Sequence, residues 1–224
     1  MSTSFNLDEA VIFAENPEPR CPCVLLLDVS GSMSGPPIAA LNEGLKAFQE
    51  DLNRDDLARK RVEIAIVTFD DRVQVVQEFV TADAFEAPTL ETGGMTYMGA
   101  AIHTGLDLVR DRKAQYRTNG VAYYRPWVFM ITDGAPTDEP GTMEKASARI
   151  RAEEDKKSIA FFSVGVEGAD MERLQTVAVR SPLKLKGLSF QEMFLWLSAS
   201  MQQVSQSRPD EQVALPSPAG WGEV

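Results

Sequence analysis

The stretch VLLLDVSGSMSG, residues 24–35, constrains how the rest of the chain can be arranged. Four apolar residues end at Asp28, as in a buried strand, and serines follow at every second position as Ser30, Ser32 and Ser34. A carboxylate and hydroxyls at the end of a strand fit three kinds of site: a metal site, a phosphoryl-transfer nucleophile or a helix start capped by serine. The remaining sequence discriminates among them.

Apolar runs alternate with helical periodicities on both sides of this stretch. A helix is predicted from Pro36-Pro37 onward, because apolar residues follow at steps of three and four, and residues 70–80 continue a hairpin. The pattern predicts an α/β fold: a Rossmann-like, doubly wound, mainly parallel sheet with one antiparallel edge strand and helices on both faces. The runs predicted as parallel strands are 23–28, 62–70, 125–134, 158–166 and, as the last edge strand, 183–187.

Composition excludes several classes of partner and places the chain in the cytoplasm. The 224 residues include 22 basic and 33 acidic side chains, for a net charge of −11, so nucleic acid and anionic membranes are poor partners. The longest apolar runs are far shorter than the roughly 20 residues needed to span a bilayer. The acidic N-terminus lacks the order of a secretory signal, and we therefore expect a cytoplasmic protein.

The chain divides into one large domain with a short segment at each end. We predict an N-terminal extension over 1–19, a domain over 20–207 and a proline-rich C-terminal tail over 208–224. Trp221 in that tail docks either on the domain or on a partner, because a disordered tail rarely keeps a large aromatic side chain. The two cysteines of the CPC stretch are too few for a zinc site and are predicted to be buried free thiols.

Catalytic and nucleotide-binding interpretations of the loop lack the groups that they need. An aspartyl-phosphate nucleophile requires a second carboxylate where Ser30 stands, and no lysine or histidine completes such a site. SGSMSG lacks the G-K-[ST] ending of a phosphate-binding loop. An EF-hand loop would need glycine at Met33 and glutamate at Ala39. We therefore predict no enzyme, although a metal-dependent phosphohydrolase stays an alternative.

A hard-cation site built mostly from neutral oxygens remains. Asp28 and Asp133 both close predicted parallel strands, and Thr96 precedes a helix, so the three can meet at the carboxyl edge of the sheet with Ser30 and Ser32. Oxygen ligands suit Mg²⁺, with Mn²⁺ or Ca²⁺ as alternatives. Helix capping by the serines or by Thr96, and a simple turn at Asp133-Gly134, explain each residue singly and stay open.

At these residues the sequence resembles a known family. D-x-S-x-S at Asp28, Ser30 and Ser32, with the later Thr96 and Asp133-Gly134, resembles the metal-ion-dependent adhesion site of von Willebrand factor A domains. The order of strands and helices is similar over residues 20–207. Within the family, the stretches NPEPRCPCVLLLDVSGSM and ITDGAPTD are similar to bacterial stress proteins of the tellurium-resistance TerY type.

The resemblance implies a binding function. Ser30, Ser32 and Thr96 would touch the ion directly, Asp28 and Asp133 would act largely through waters, and a protein partner would supply an Asp or Glu to the metal. The TerY likeness implies a cytoplasmic stress-response protein whose partner is a kinase, a phosphatase or another tellurium-resistance protein. An accessory subunit of an ATPase or metal-chelatase machine is the alternative that the same family offers.

Overall fold

The structure, a computed structural model, describes residues 11, 13–133, 135–209 and 211–223, and these form one seven-stranded sheet in the order β3-β2-β1-β4-β5-β6-β7. Five strands run parallel, whereas β3 and β7 pair antiparallel with their neighbours at the two edges. The strands are β1 (Cys21–Asp28), β2 (Val62–Phe69), β3 (Val73–Thr81), β4 (Trp127–Thr132), β5 (Ala160–Gly165), β6 (Leu183–Leu185) and β7 (Gly222–Glu223).

The predicted α/β fold is confirmed, with one correction at the edge of the sheet. Residues 183–187 were predicted to contain the last edge strand, but β7 from the C-terminal segment pairs outside β6. The sheet therefore has two antiparallel edge strands instead of one. A two-residue strand has no periodicity by which the sequence could have signalled it.

Helices cover both faces of the sheet because successive residues of a strand point to opposite sides. Leu25 and Leu27 of β1 belong to the same apolar cluster as α1 and α6, whereas Val24 and Leu26 pack with α3, α4 and α5. The helices are α1 (Pro36–Arg54), α2 (Ala58–Arg61), α3 (Met98–Thr118), α4 (Thr142–Asp155), α5 (Met171–Val177) and α6 (Phe190–Ser205). No helix among the described residues is long and apolar enough to cross a membrane.

A close approach between α1 and α6 fixes the layer next to β1. The helix α1 starts at Pro36, after Gly35 at a φ of +81°, and buries the predicted apolar face. A Cβ atom at Gly44 would lie 2.7 Å from the Phe194 ring and 3.2 Å from the Phe190 backbone. Only glycine therefore allows the two helices to pack at this distance.

The amino ends of β1 and β2 carry a buried charge cluster that the sequence did not indicate. Arg20 is fully buried and donates to Glu63 Oε1 at 2.9 Å, while Arg112 from α3 binds both carboxylate oxygens of Glu63 at 2.8 and 2.9 Å. The Tyr116 hydroxyl also donates to this carboxylate. The ring of Phe13 lies 5.5 and 5.0 Å from the guanidinium carbons of Arg20 and Arg112.

Both ends of the chain pack on the domain where the structure describes them. Most of the predicted N-terminal extension lies outside the described residues, but Glu18 within it binds Arg61. At the other end Trp221 is 2 % exposed and lies 5.3 Å from the Trp196 ring between centroids. Trp221 therefore docks on the domain, and the predicted tail is in part an ordered segment.

Candidate metal-binding site

The candidate site lies where β1 and β4 end beside each other at the centre of the sheet. The strand order of the sheet reverses here, because β2 pairs with one side of β1 and β4 pairs with the other. Such a reversal opens a crevice beyond the carboxyl ends of the strands, and ligands of open α/β sheets bind there. Asp28 is the last residue of β1, and Asp133 directly follows β4.

Asp28 lies at the base of this crevice, fully buried. Its Oδ1 accepts the backbone N–H of Ser30 at 2.9 Å, and its Oδ2 accepts the Thr132 hydroxyl at 2.5 Å. Burial raises the pKa of Asp28, although the hydrogen bonds from Ser30 and Thr132 act in the opposite direction. The carboxylate is thus fixed between two strands but is costly to hold ionised without a nearby cation.

Above Asp28, a chain of hydrogen-bonded oxygens joins the two loops. The hydroxyl oxygens of Ser30 and Ser32 lie 3.0 Å apart, and the Ser32 hydroxyl donates to Asp133 Oδ1 at 2.8 Å. Ser30 is buried, Ser32 is exposed and Asp133 is half-buried, so the chain runs from the interior to the surface. Burial raises the pKa of Asp133 as it does that of Asp28.

The third loop, which carries Thr96, is tied to both of the others. Gly93 donates its N–H to the Val29 carbonyl at 2.9 Å, and the N–H of Gly31 reaches the Gly94 carbonyl at 3.2 Å. On the other side, the Thr96 N–H donates to the Thr137 hydroxyl at 2.9 Å, and the Thr137 N–H donates to the Thr96 carbonyl at the same distance.

Gly94 is required for this arrangement. It has a φ of +64°, and a Cβ atom there would lie 2.7–2.8 Å from atoms of Asp71. A larger residue would push the Thr96 loop away from the end of β2. The three predicted loops therefore meet at one edge of the sheet.

Helix capping does not explain the hydroxyls. Ser30 precedes a 3₁₀ turn (Gly31–Met33) without a side-chain capping bond, and α1 begins after Gly35, which has no side chain. Ser34 instead pairs with the Thr92 hydroxyl at 2.8 Å, so it points away from the chain of oxygens.

Thr96 does not cap α3 either. The residue before α3 is Tyr97, which makes no side-chain capping bond. The carboxylate of Asp138 accepts the N–H groups of Gly99 and Ala100, each at 2.9 Å, and thereby caps that helix.

The donor set suits a hard cation held by few charges. Within the described residues, no three His, Cys, Asp or Glu side chains gather where they could hold a metal ion. The candidate residues are instead two carboxylates, Asp28 and Asp133, with the hydroxyls of Ser30, Ser32 and Thr96. Oxygen donors of this kind fit Mg²⁺ better than a soft metal, because Mg²⁺ keeps several waters and needs few protein ligands.

Sequence reasoning missed two supporting residues. Thr132 fixes the Asp28 carboxylate, and Thr137 holds the Thr96 backbone. Thr132 and Thr137 lie near Asp133 in the stretch ITDGAPTD, but their partners are distant in sequence. Gly134, predicted with Asp133 as a turn, lies outside the described residues.

The surroundings of the site are acidic, with one exposed apolar side chain. Asp70 closes the β2–β3 turn by accepting the N–H of Arg72 at 2.7 Å, as the predicted hairpin requires. Met95 is 52 % exposed beside Thr96. His103 does not approach the site, since its ring nitrogen Nδ1 lies 3.5 Å from Arg149 on the face of α3 that meets α4.

With the fold and site described, the family can be stated. Residues 23–191 match the von Willebrand factor type A domain family, and the chain belongs to that family. It is 28 % identical over 163 residues to the collagen alpha-5(VI) chain of Mus musculus, a match that covers 69 % of this chain and 6 % of that one.

Solved structures with the same fold share little sequence with this chain. The pilus adhesin SpaC from Lactobacillus rhamnosus GG superposes with a TM-score of 0.65 at 15 % identity, covering 84 % of this chain and 31 % of that one. The ArnB paralog VWA2 from Sulfolobus acidocaldarius gives a TM-score of 0.52 at 14 % identity, covering 83 % and 45 %. At such identities the likeness shows the fold alone. The chain spans less than half the length of each of these proteins.

Proposed function

We propose that this protein is a metal-ion-dependent protein-binding module. The ion is a divalent cation, Mg²⁺ with Mn²⁺ or Ca²⁺ as alternatives, held at Asp28, Ser30, Ser32, Thr96 and Asp133. The observation that carries the proposal is the hydrogen-bonded chain from Ser30 through Ser32 to Asp133. In this chain the Ser32 hydroxyl oxygen lies 3.0 Å from that of Ser30 and 2.8 Å from Asp133 Oδ1, so that it links two loops beside the buried Asp28 carboxylate.

A bound cation would compensate the negative charges of two carboxylates, those of the buried Asp28 and the half-buried Asp133. Burial raises the pKa of both Asp28 and Asp133, so their negative charges are unfavourable where they stand. The hydroxyls add coordination without adding charge. The two carboxylates therefore neutralise the charge of a divalent ion, and the other ligands are neutral. Because the ion is not surrounded by anions, one further carboxylate is tolerated beside it.

The partner group that fits such a site is an Asp or Glu side chain on another protein. The chain carries a net charge of −11, and the surface around the site includes Asp70 and Asp71, so acidic partners are repelled except at the ion. The ion would thus provide both the attraction and the position of the contact. Met95 beside the site offers an apolar contact to the same partner.

A stress-response setting of the tellurium-resistance type is the finer proposal. It rests on the two stretches at residues 16–33 and 131–138 that are similar to the TerY type. In that setting the protein works in the cytoplasm without catalysis of its own, and a kinase, a phosphatase or another tellurium-resistance protein offers the carboxylate. Nothing specific in the structure favours the ATPase-subunit alternative over this one.

Titration calorimetry tests the metal site directly. The wild type should bind one Mg²⁺ or Mn²⁺, and Asp28→Asn should abolish the heat. Asp56→Asn is the matched control, because that carboxylate is 93 % exposed on the turn before α2. Absence of binding by the wild type with both ions, or equal binding by the Asp28 variant, would overturn the proposal.

A further inference from the structure

A second concave region lies at the opposite end of the sheet from Asp28, beneath the C-terminal strap, which we define as the described residues 208–209 and 211–218. The cavity has a volume of about 350 Å³ and is walled by Arg125, Trp127, Phe162, Arg180, Val213 and Leu215, among others. A smaller space of about 230 Å³ adjoins it, shares Phe162, Arg180 and Leu215, and is also lined by Ser163. The combined space is in the range that small-molecule sites occupy.

The strap is fastened at its two ends and crosses the cavity between them. At one end, the Tyr124 hydroxyl donates to the Ser207 carbonyl at 2.6 Å. At the other, Trp196 Nε1 donates to the Pro216 carbonyl at 2.8 Å. The described strap residues between these points hydrogen-bond only locally, as in the 3.0 Å bond from Glu211 N to the Arg208 carbonyl. A ligand therefore would not have to break sheet hydrogen bonds to enter.

Two arginines, Arg125 and Arg180, line the inner wall of the cavity, and among the described residues only one of them has a carboxylate partner. Arg180 forms an ion pair with Glu154, a carboxylate that is 8 % exposed. Arg125 has no carboxylate within ion-pair distance among the described residues, and it binds the carbonyls of Ile159 and Glu154 instead. Burial lowers the pKa of both arginines, and Arg125 further lowers that of Arg180, because the two guanidinium groups repel each other.

Glu211 also lines the cavity, but from the solvent side. It is exposed, and its Oε2 accepts the Arg208 N–H at 3.1 Å within the strap. Water screens an exposed carboxylate, so it weakly offsets a charge on the inner wall. Among the described residues, the position beside Arg125 is thus left electropositive in a chain whose net charge is −11.

The remaining walls are largely aromatic. The rings of Trp127 and Phe162 lie 5.0 Å apart between centroids, and the Arg180 guanidinium lies 5.1 Å from the Phe162 centroid.

We propose that this cavity binds a small organic anion with a flat apolar body. Arg125 pairs with the anionic group, and Trp127 and Phe162 contact the apolar body. An anion here supplies the charge that Arg125 lacks, while an apolar ring replaces water against two aromatic side chains. This proposal is independent of the metal site.

The test uses 1-naphthoate as the probe and neutral 1-naphthamide as its matched control, titrated into the full chain by calorimetry. We expect 1-naphthoate to bind one site and 1-naphthamide to bind at least about tenfold more weakly. The Arg125→Gln variant should bind 1-naphthoate at least about tenfold more weakly than the wild type, and Arg125→Lys should retain most of the wild-type affinity. Arg54→Gln, at an arginine 73 % exposed on α1, should change nothing.

Two further measurements separate a binding effect from other causes. Arg125 also binds the Ile159 carbonyl, so thermal melting of the Arg125 variants shows whether their fold is intact. The second measurement uses Leu215→Trp, which narrows the cavity without altering either arginine. Asp28→Asn and EDTA should leave 1-naphthoate binding unchanged. The proposal is overturned by absence of binding up to about 1 mM, by equal binding of the two probes, or by full binding in the Leu215→Trp variant.

Discussion

The Thr132 hydroxyl donates to Asp28 Oδ2 at 2.5 Å and thereby links the last residues of the two central strands, β1 and β4. Asp28 could not be held so deeply by its own loop, since the Ser30 N–H occupies only Oδ1. The base of the candidate site is therefore part of the sheet, whereas its upper oxygens belong to loops. This division predicts different effects of substitution at the two levels.

At the base of the candidate site, the Asp28→Asn variant should stay folded in EDTA, and its stability should not respond to Mg²⁺. Burial raises the pKa of Asp28, so its ionised form at neutral pH destabilises the metal-free fold, and a neutral amide removes that cost. The wild type should gain about 2.7 kcal/mol when Mg²⁺ is present at a hundred times its dissociation constant. Thermal melting with and without Mg²⁺ measures both effects. A variant that still gains stability from Mg²⁺ would place the ion elsewhere.

In the upper loop, Ser32 and Ser34 form a matched pair. Ser32→Ala removes the hydroxyl that joins Ser30 to Asp133, whereas Ser34→Ala removes one that pairs with Thr92 outside the chain of oxygens. We expect Mg²⁺ affinity to fall at least about tenfold in the first variant and to stay unchanged in the second. Calorimetry gives both values. Equal effects of the two substitutions would contradict the assigned ligand set.

Partner binding should depend on the ion and on the third loop. A tagged wild-type protein should capture its partner from cell extract with Mg²⁺ present and lose it with EDTA. Thr96→Ala should weaken capture while shifting the melting temperature little, because Thr96 lies in a loop whose backbone bonds to Thr137 survive the change. Retention of the same partner in EDTA would show that binding uses another surface.

At the opposite end of the sheet, Glu63→Gln should strongly destabilise the fold. Glu63 is 1 % exposed and binds both Arg20 and Arg112, so a neutral side chain leaves buried guanidinium charge uncompensated. Removal of one partner from a buried ion pair costs about 3–5 kcal/mol. Urea denaturation measures the loss. Glu78→Gln on the exposed edge strand β3 is the control and should change stability by less than about 0.5 kcal/mol.

The docking of Trp221 should contribute measurably to stability. Trp221→Ala should cost about 3–5 kcal/mol, because it empties a buried site beside Trp196. Trp221→Phe should cost less, since the buried indole N–H of Trp221 has no hydrogen-bond partner among the described residues. Urea denaturation of both variants compares the two losses. If Phe proves as harmful as Ala, an unrecognised acceptor contacts the indole.

Local patterns predicted most of the fold, and the strand predicted over 62–70 matches β2. Asp28, Ser30, Ser32, Thr96 and Asp133 became candidate ligands because each stands beside a strand end or a helix start, and their metal-binding role stays a prediction. The strand predicted over 125–134 is shorter, as β4 begins at Trp127 after Pro126, which has no N–H to donate.

What the sequence did not indicate depends on contacts between distant residues. Glu63 meets Arg20 and Arg112 across 43 and 49 positions, and the Thr132 hydroxyl meets Asp28 across 104. Nothing near any of these residues in sequence marks its partner. The strap cavity was missed for the same reason, because Arg125, Arg180 and the strap come from three separate segments.

The pairing of β7 with β6 has a consequence for self-association. A sheet ending at three-residue β6 would present unpaired N–H and C=O groups to any neighbouring chain. The two residues of β7 pair with part of that edge. At the far edge of the sheet, the pairing of β3 with β2 has an irregular register between Ile64 and Val67 of β2. Neither edge offers the long, flat template on which identical molecules stack into aggregates.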